Sequence, residues 1–153
     1  MDDQELLRYS RHLLLNELGP DAQARFSAAR ALVVGAGGLG NPAAQFLASS
    51  GVGRITLVDA DAVDLTNLQR QILFSLDDVG APKVEAAARR LAAINPGPLL
   101  VRVERRVGAD ELAALAAEAD VVLDCTDNFA TRHAVNRACV GARVPLVSGA
   151  AIS

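Results

Sequence analysis

Two segments of this chain carry residue types and spacings that do chemistry. Gly35, Gly37 and Gly40 satisfy G-x-G-x-x-G within GAGGLG, and Gly38 adds a fourth glycine. The turn follows an apolar run and precedes a helical pattern, the context in which such a turn binds nucleotide phosphate. The first glycine permits the tight turn, the second lets backbone approach a phosphate, and the third brings helix close to strand. Free N–H groups of the first helical turn then face the anion. The second segment, DADAVDLTNLQRQ at 59–71, follows the next apolar run. Its first acid, Asp59, stands where a carboxylate holds ribose hydroxyls. A nicotinamide-binding domain needs only that acid, yet the run continues with Asp61, Asp64, Asn67, Gln69 and Arg70. The additional groups imply that the nucleotide is a reactant and not a passive cofactor.

Attack on the α-phosphate of ATP expels pyrophosphate. Cations must meet that leaving group, and a carboxylate must hold a bridging metal. Arg70 and Lys83 are the candidate cations, both expected to be exposed to the cleft, and Asn67 is a neutral donor. Asp127 follows the fourth expected strand, at the carboxyl edge where doubly wound sheets bind ligands, and is the candidate Mg²⁺ ligand. Taken singly, Arg70 reads equally as a solvated surface charge. Asp127 reads equally as a neighbour of the following helix cap. Lys83 in a helix's first turn opposes the dipole, which a nearby phosphate would explain.

These residues need a scaffold, and the patterning supplies one. Residues 3–15 read as one amphipathic helix and 20–29 as a second. Apolar runs at 31–34, 55–58, 99–103, 121–124 and 144–147 read as strands. Between them, 39–50, 82–94, 110–118 and 128–140 read as helices. The stretch 60–80 is a long irregular loop, the kind that tends to be functional. Alternating strands and helices predict an α/β fold: a doubly wound, mainly parallel Rossmann-like sheet with helices on both faces, preceded by two N-terminal helices. The 153 residues fit one domain. Aromatics make up only 3%, so Ala, Val and Leu must build the core.

The net charge of −3 offers no basic face for nucleic acid. No apolar run is long enough to span a membrane. The N-terminus is acidic and then amphipathic, unlike a secretory signal, so the cytoplasm is the default location. Cys125 and Cys139 read as small buried hydrophobes in a reducing compartment. His12 and His133 fall on expected helices and pair with no nucleophile.

The segments RYSRHLLL (8–15), VVGAGGLGNP (33–42), GVGRITLVDADAVDLTNLQRQILF (51–74), VGAPKVEAA (79–87), LDCTDNFATR (123–132) and PLVSGAAI (145–152) carry a resemblance. Together they resemble the activating-enzyme superfamily of ubiquitin-like sulfur carriers, whose bacterial members adenylate the carrier subunit of molybdopterin synthase or the sulfur carrier of thiamine synthesis. The resemblance implies that Asp59 binds ribose, and that Asn67, Arg70 and Lys83 contact the triphosphate. It places Gly35, Gly37, Gly38, Gly40 and Asp61 in the nucleotide site and makes Asp127 the Mg²⁺ ligand. It also implies a homodimer in which Arg11 is donated to the partner's ATP site. The substrate protein would be a sulfur carrier ending in Gly-Gly, with VSGAAI leaning toward the molybdopterin branch. The family's carrier-binding surface and zinc-binding CxxC pairs lie in a further C-terminal part. Residues 1–153 are therefore expected to be the ATP-binding domain of a longer protein, with zinc only in the missing part. Neither cysteine matches the family's loop cysteine. Two other readings stand beside this one: an NAD-dependent oxidoreductase domain, and a non-catalytic module that binds nucleotide or dimerises.

Overall fold

The computed structural model describes residues 1–150. Five strands, β1 (Arg30–Val34), β2 (Arg54–Val58), β3 (Leu99–Val103), β4 (Val121–Asp124) and β5 (Leu146–Ser148), form one sheet. Their order is β3-β2-β1-β4-β5 and every pairing is parallel. Ala31 lies opposite Ile55 on one side and Val121 on the other, which fixes the register of the central three strands. This is the strand order of a doubly wound sheet, and its direction of winding reverses between β1 and β4.

The centre of the sheet is apolar because both faces are covered. Successive side chains of β1 point to opposite faces. Ala31 and Val33 join a core with Ala44 and Ala48 of α4 (Gly40–Ser49) and Val84, Ala87 and Leu91 of α5 (Lys83–Ile94). Leu32 and Val34 join a second core with Leu112 and Ala116 of α6 (Ala109–Ala117) and Val135 and Cys139 of α7 (Phe129–Ala142). Small alanines on the helix faces let helix and sheet approach closely, which substitutes for the scarce aromatics. Helices on both faces, alternating with parallel strands, match the expected fold class.

The N-terminal region departs from the single expected helix over 3–15. It divides into α1 (Asp3–Arg8) and α2 (Ser10–Leu13), and α3 (Gly19–Ala28) follows. The break is at Tyr9, whose φ of −97° and ψ of 11° leave the helical region. Tyr9 is turned inward and is buried. Its hydroxyl accepts from Asn95 Nδ2 at 2.8 Å, and the same amide donates to the Ala48 carbonyl. His12 Nδ1 meets Gln23 Oε1 at 2.9 Å, and Gln23 Nε2 donates to the Ser50 carbonyl. A buried polar network therefore docks these helices on the C-terminal ends of α4 and α5.

The loop between β2 and α5 is ordered by its own backbone. Val63 N–H donates to the Ala81 carbonyl and Gly80 N–H returns to the Val63 carbonyl. Two 3₁₀ turns, Leu65–Asn67 and Leu76–Asp78, fold the span between. Pro82 caps α5 instead of opening it. At the other edge, Arg143 ends α7 in the left-handed region, and β5 starts two residues later than the sequence predicts. No helix of the described residues is long and apolar enough to cross a membrane.

Candidate nucleotide site

The glycine turn sits at the carboxyl ends of β1 and β4, where the winding reverses. Gly35 has a φ of +95°, a conformation glycine adopts without strain. A Cβ there would also lie 2.8 Å from the Cys125 carbonyl oxygen. At Gly40 a Cβ would fall 1.9 Å from the Gly35 carbonyl oxygen, so α4 can only start this close to β1 with glycine in that place. Gly37 differs. Nothing of the chain comes nearer to its Cβ position than Gln71 Nε2 at 3.7 Å. Packing explains Gly35 and Gly40, whereas a Cβ on Gly37 would make only ordinary contact with Gln71, so packing does not demand glycine there and close approach of a phosphate to the backbone would.

Asp59 pins this turn to the polar run. Its Oδ2 accepts from Ala36 N–H at 2.7 Å and its Oδ1 from Asp61 N–H at 2.8 Å. Each carboxylate oxygen keeps a further lone pair, so a ribose hydroxyl can still be bound. Asp61 Oδ2 in turn accepts from Lys83 Nζ at 3.2 Å. Lys83 is not exposed as expected: it is only 7% accessible. Its N–H donates to the Asp61 carbonyl, and an antiparallel bridge between Ala62 and Pro82 closes the loop base. That closure encloses the Lys83 side chain under the loop, with its ammonium beside Asp61.

Arg70 is exposed, and it leans on the glycine turn. A Cβ on Gly38 would lie 3.5 Å from Arg70 Cδ and 3.6 Å from its Nε. Its guanidinium also donates to the Thr66 carbonyl at 3.2 Å. Asp64 caps the first 3₁₀ turn, accepting from the Thr66 hydroxyl at 2.6 Å and from Thr66 N–H at 2.8 Å. Those two bonds, the hydroxyl foremost, hold its carboxyl below the usual range. Asn67 N–H donates to the Asp64 carbonyl and its Oδ1 faces Asp64 N–H at 3.4 Å. The glycine turn, Asp59, Asp61, Arg70 and Lys83 are thus brought together, with Asn67 beside them in the same loop.

Asp127 is exposed in the turn that follows β4, and Asn128, not Asp127, caps α7. The turn is held by buried Asp124. Its Oδ1 accepts from Thr126 N–H and hydroxyl at 3.1 and 2.7 Å, and its Oδ2 from Ser148 at 2.9 Å. Arg132 donates to the Thr126 and Gly149 carbonyls. Among the described residues no three His, Cys, Asp or Glu side chains gather as metal ligands. A cation at Asp127 would therefore take its remaining oxygens from phosphate and water, as Mg²⁺ does. Cys125, next along, has its thiol pushed up to about 11 by burial and by the charge of Asp124. It is no nucleophile at neutral pH.

Arg11 is exposed on α2 and is not brought to the site by its own chain. The neighbouring His12–Gln23–Ser50 contacts fasten that region beyond the far end of α4. A helix of this length separates its ends by about 15 Å. Ala151 and Ile152 of the last motif lie outside the described residues.

Two residues that sequence reading did not single out lie against the glycine turn. Buried Asn41 donates through Nδ2 to the Ala36 carbonyl at 2.7 Å and accepts Leu73 N–H on Oδ1 at 2.8 Å, joining the glycine turn to the Arg70 loop. Gln71 lies buried beneath Gly37. Two surface grooves of about 380 and 420 Å³ flank α5, but neither contains a residue of the glycine turn. Donor and charge geometry is what marks the candidate site.

Comparison with known proteins agrees with the geometry. The chain is 53% identical over 152 residues to molybdopterin-synthase adenylyltransferase of Escherichia coli K12, covering 99% of this chain and 61% of that protein. It is 45% identical over 152 residues to the sulfur carrier protein ThiS adenylyltransferase of the same organism, with the same coverage. The chain therefore spans about 61% of the length of these curated relatives. Among solved structures, E. coli tRNA N6-threonylcarbamoyladenosine dehydratase, TcdA, in complex with ATP superposes with a TM-score of 0.90 at 34% identity, over 99% of this chain and 64% of that one. Residues 9–153 match the ThiF family, and with the fold, the glycine turn and these relatives in agreement, the chain belongs to that family.

Proposed function

We propose that this chain is the ATP-binding part of an adenylyltransferase that activates the C-terminal carboxylate of a ubiquitin-like sulfur carrier ending in Gly-Gly. The observation that carries this reading is that Arg70 and the Asp59 carboxylate both contact the glycine turn, while Lys83 is tied to Asp59 through Asp61. An oxidoreductase would have use for Asp59 and the turn but not for the two cations. The molybdopterin-synthase carrier is favoured over the thiamine carrier by the higher identity of the first relative.

In this reading the nucleotide phosphates lie on the turn and the α4 N-terminus. Asp59 holds the ribose. Asn67, Arg70 and Lys83 hold the phosphates, and Asp61 keeps the Lys83 ammonium in position. An oxygen of the carrier carboxylate forms a bond to the α-phosphorus. The bond from that phosphorus to the bridging oxygen breaks, and pyrophosphate leaves with the electron pair. The carboxylate is already ionised at neutral pH, so no general base is required. Arg70 and Lys83 stabilise the charge that develops on the leaving group. Mg²⁺, held by Asp127, would supply Lewis-acid neutralisation of the phosphates.

A cytoplasmic homodimer completes the proposal. Arg11 cannot serve its own site, and Leu6, Leu7, Leu14 and Leu15 around it are exposed apolar residues. A second copy covering them would bring Arg11 to the partner's phosphates. The test is ATP–pyrophosphate exchange by the enzyme with and without a carrier ending in Gly-Gly. Exchange that depends on the carrier is expected. Exchange without any carrier, or binding of NAD and not ATP, would refute the reading.

A further inference from the structure

We propose that Gln71 is a further phosphate-contacting residue, its side-chain amide donating to the nucleotide from beneath Gly37; this rests on the nucleotide reading above. Gln71 is 3% exposed, the most enclosed polar side chain of the 59–71 run. Its Oε1 is the one enclosed side-chain oxygen or nitrogen among the described residues that has no hydrogen-bond partner. Buried amides elsewhere in the chain are satisfied. Asn41 bonds Ala36 and Leu73, and Asn95 bonds Tyr9, Ala48 and Gly97. An unpaired buried amide is therefore an exception with a cause.

The cause lies at its other end. Nε2 is the side-chain atom that faces Gly37, 3.7 Å from where a Cβ would stand. Phosphate oxygens are acceptors at neutral pH, so an N–H donor is the group they can use. Turning the amide about its last torsion leaves the same two environments, and a phosphate selects the orientation that presents nitrogen. The backbone cannot carry Gln71 away. Its N–H donates to the Asn67 carbonyl, its carbonyl accepts from Phe74 N–H, and Leu73 is clamped by Asn41. A residue needed only for filling would be Met, which has similar length and no acceptor to leave unsatisfied. Keeping an amide here trades stability for a donor, the pattern expected where a local rule is broken at a functional site.

The test is titration of the unmodified chain, Gln71→Met and Gln71→Glu with Mg-ATP and with adenosine, alongside thermal melts without ligand. Gln71→Met is expected to melt at or above the unmodified chain and to bind ATP about tenfold more weakly, with adenosine binding unchanged. Gln71→Glu is expected to bind ATP more weakly still, because a carboxylate there repels phosphate. Unchanged ATP affinity in Gln71→Met overturns the proposal. So does a lower melting point with ATP and adenosine weakened alike, which assigns Gln71 a purely structural role. If Gln71→Met does not fold, Gln71→Glu decides, and undiminished ATP binding by it overturns the proposal. An unmodified chain that binds no ATP overturns the nucleotide reading and this inference together. An unmodified chain that binds ATP while both variants match it overturns this inference alone.

Discussion

Asn41→Ala should separate the two halves of the proposed phosphate site. The wild-type amide makes two buried hydrogen bonds, to the Ala36 carbonyl at 2.7 Å and from Leu73 N–H at 2.8 Å. Each is worth about 1 kcal/mol net, and a buried group left without its partner adds a desolvation cost of about 1–3 kcal/mol. Asn41 is 1% exposed and Leu73 is 3% exposed, so water does not freely replace the lost partner. The expected loss is about 3–5 kcal/mol, a large share of the stability of an ordinary domain. Urea unfolding should show a lower midpoint with an unchanged slope. The Arg70 loop should also come loose from the turn, so ATP affinity should fall in the fraction that remains folded. Asn41→Asp keeps the acceptor for Leu73 but loses the donor and adds charge, so it should be no better. A change below about 0.5 kcal/mol, the range of a neutral surface substitution, would refute the clamp.

Gly40→Ala should destabilise the chain by about 3 kcal/mol or more, because its Cβ would meet the Gly35 carbonyl oxygen at 1.9 Å; Gly37→Ala should unfold normally in urea yet lose ATP binding, and normal binding would refute the phosphate role of that face. Arg70→Ala should leave stability within about 0.5 kcal/mol, whereas Lys83→Ala, which empties a buried position, should lose about 1–2 kcal/mol. Both should raise the adenylation barrier by about 3 kcal/mol, and normal turnover in either would sink its assignment. The Arg30 side chain, then its backbone N–H, holds the Asp120 carboxyl below the usual range. A depressed folded-state value gives stability that is complete above the ordinary carboxylate range and lost as pH falls through the lowered one. Asp120→Asn should therefore flatten the acid limb of a urea-midpoint titration, and an unchanged limb would count against the pair. With its thiol pushed up to about 11, Cys125 should react with iodoacetamide far more slowly than a free thiol at pH about 8, and rapid alkylation would refute its inertness.

The fold was legible because its two signals are local. Continuous apolar runs mark strands buried on both faces, and 3.6-residue periodicity marks the helices between them. Four of the five expected strands agree with the structure to within one residue. The misjudged elements are those where a distant contact overrides the local pattern. Leucines at helical spacing run through 3–15, but Tyr9 leaves the helix to reach Asn95, far along the chain. Nothing within the segment announces that partner.

The site divides along the same line. Gly35, Gly40 and Asp59 could be placed from the sequence because one short βαβ unit sets their geometry. Lys83 could not be placed correctly. A cation after a proline reads as exposed, and only the Ala62–Pro82 bridge and the Asp61 contact reveal that its stem is enclosed. Enclosure changes its chemistry. An ammonium held under a loop by one exposed carboxylate is already partly desolvated and already oriented. It loses little on meeting a phosphate, whereas a free surface lysine would have to give up both its hydration and its rotamer freedom. Arg70 depends in the same way on a contact the sequence does not display. It lies against Gly38 in a loop that Asn41 ties to the glycine turn through Leu73 and Ala36. The charges that would meet the triphosphate were visible in the residue types. Their preorganisation, from which electrostatic stabilisation draws most of its strength, resides in neutral amides and backbone carbonyls that no charge pattern reveals.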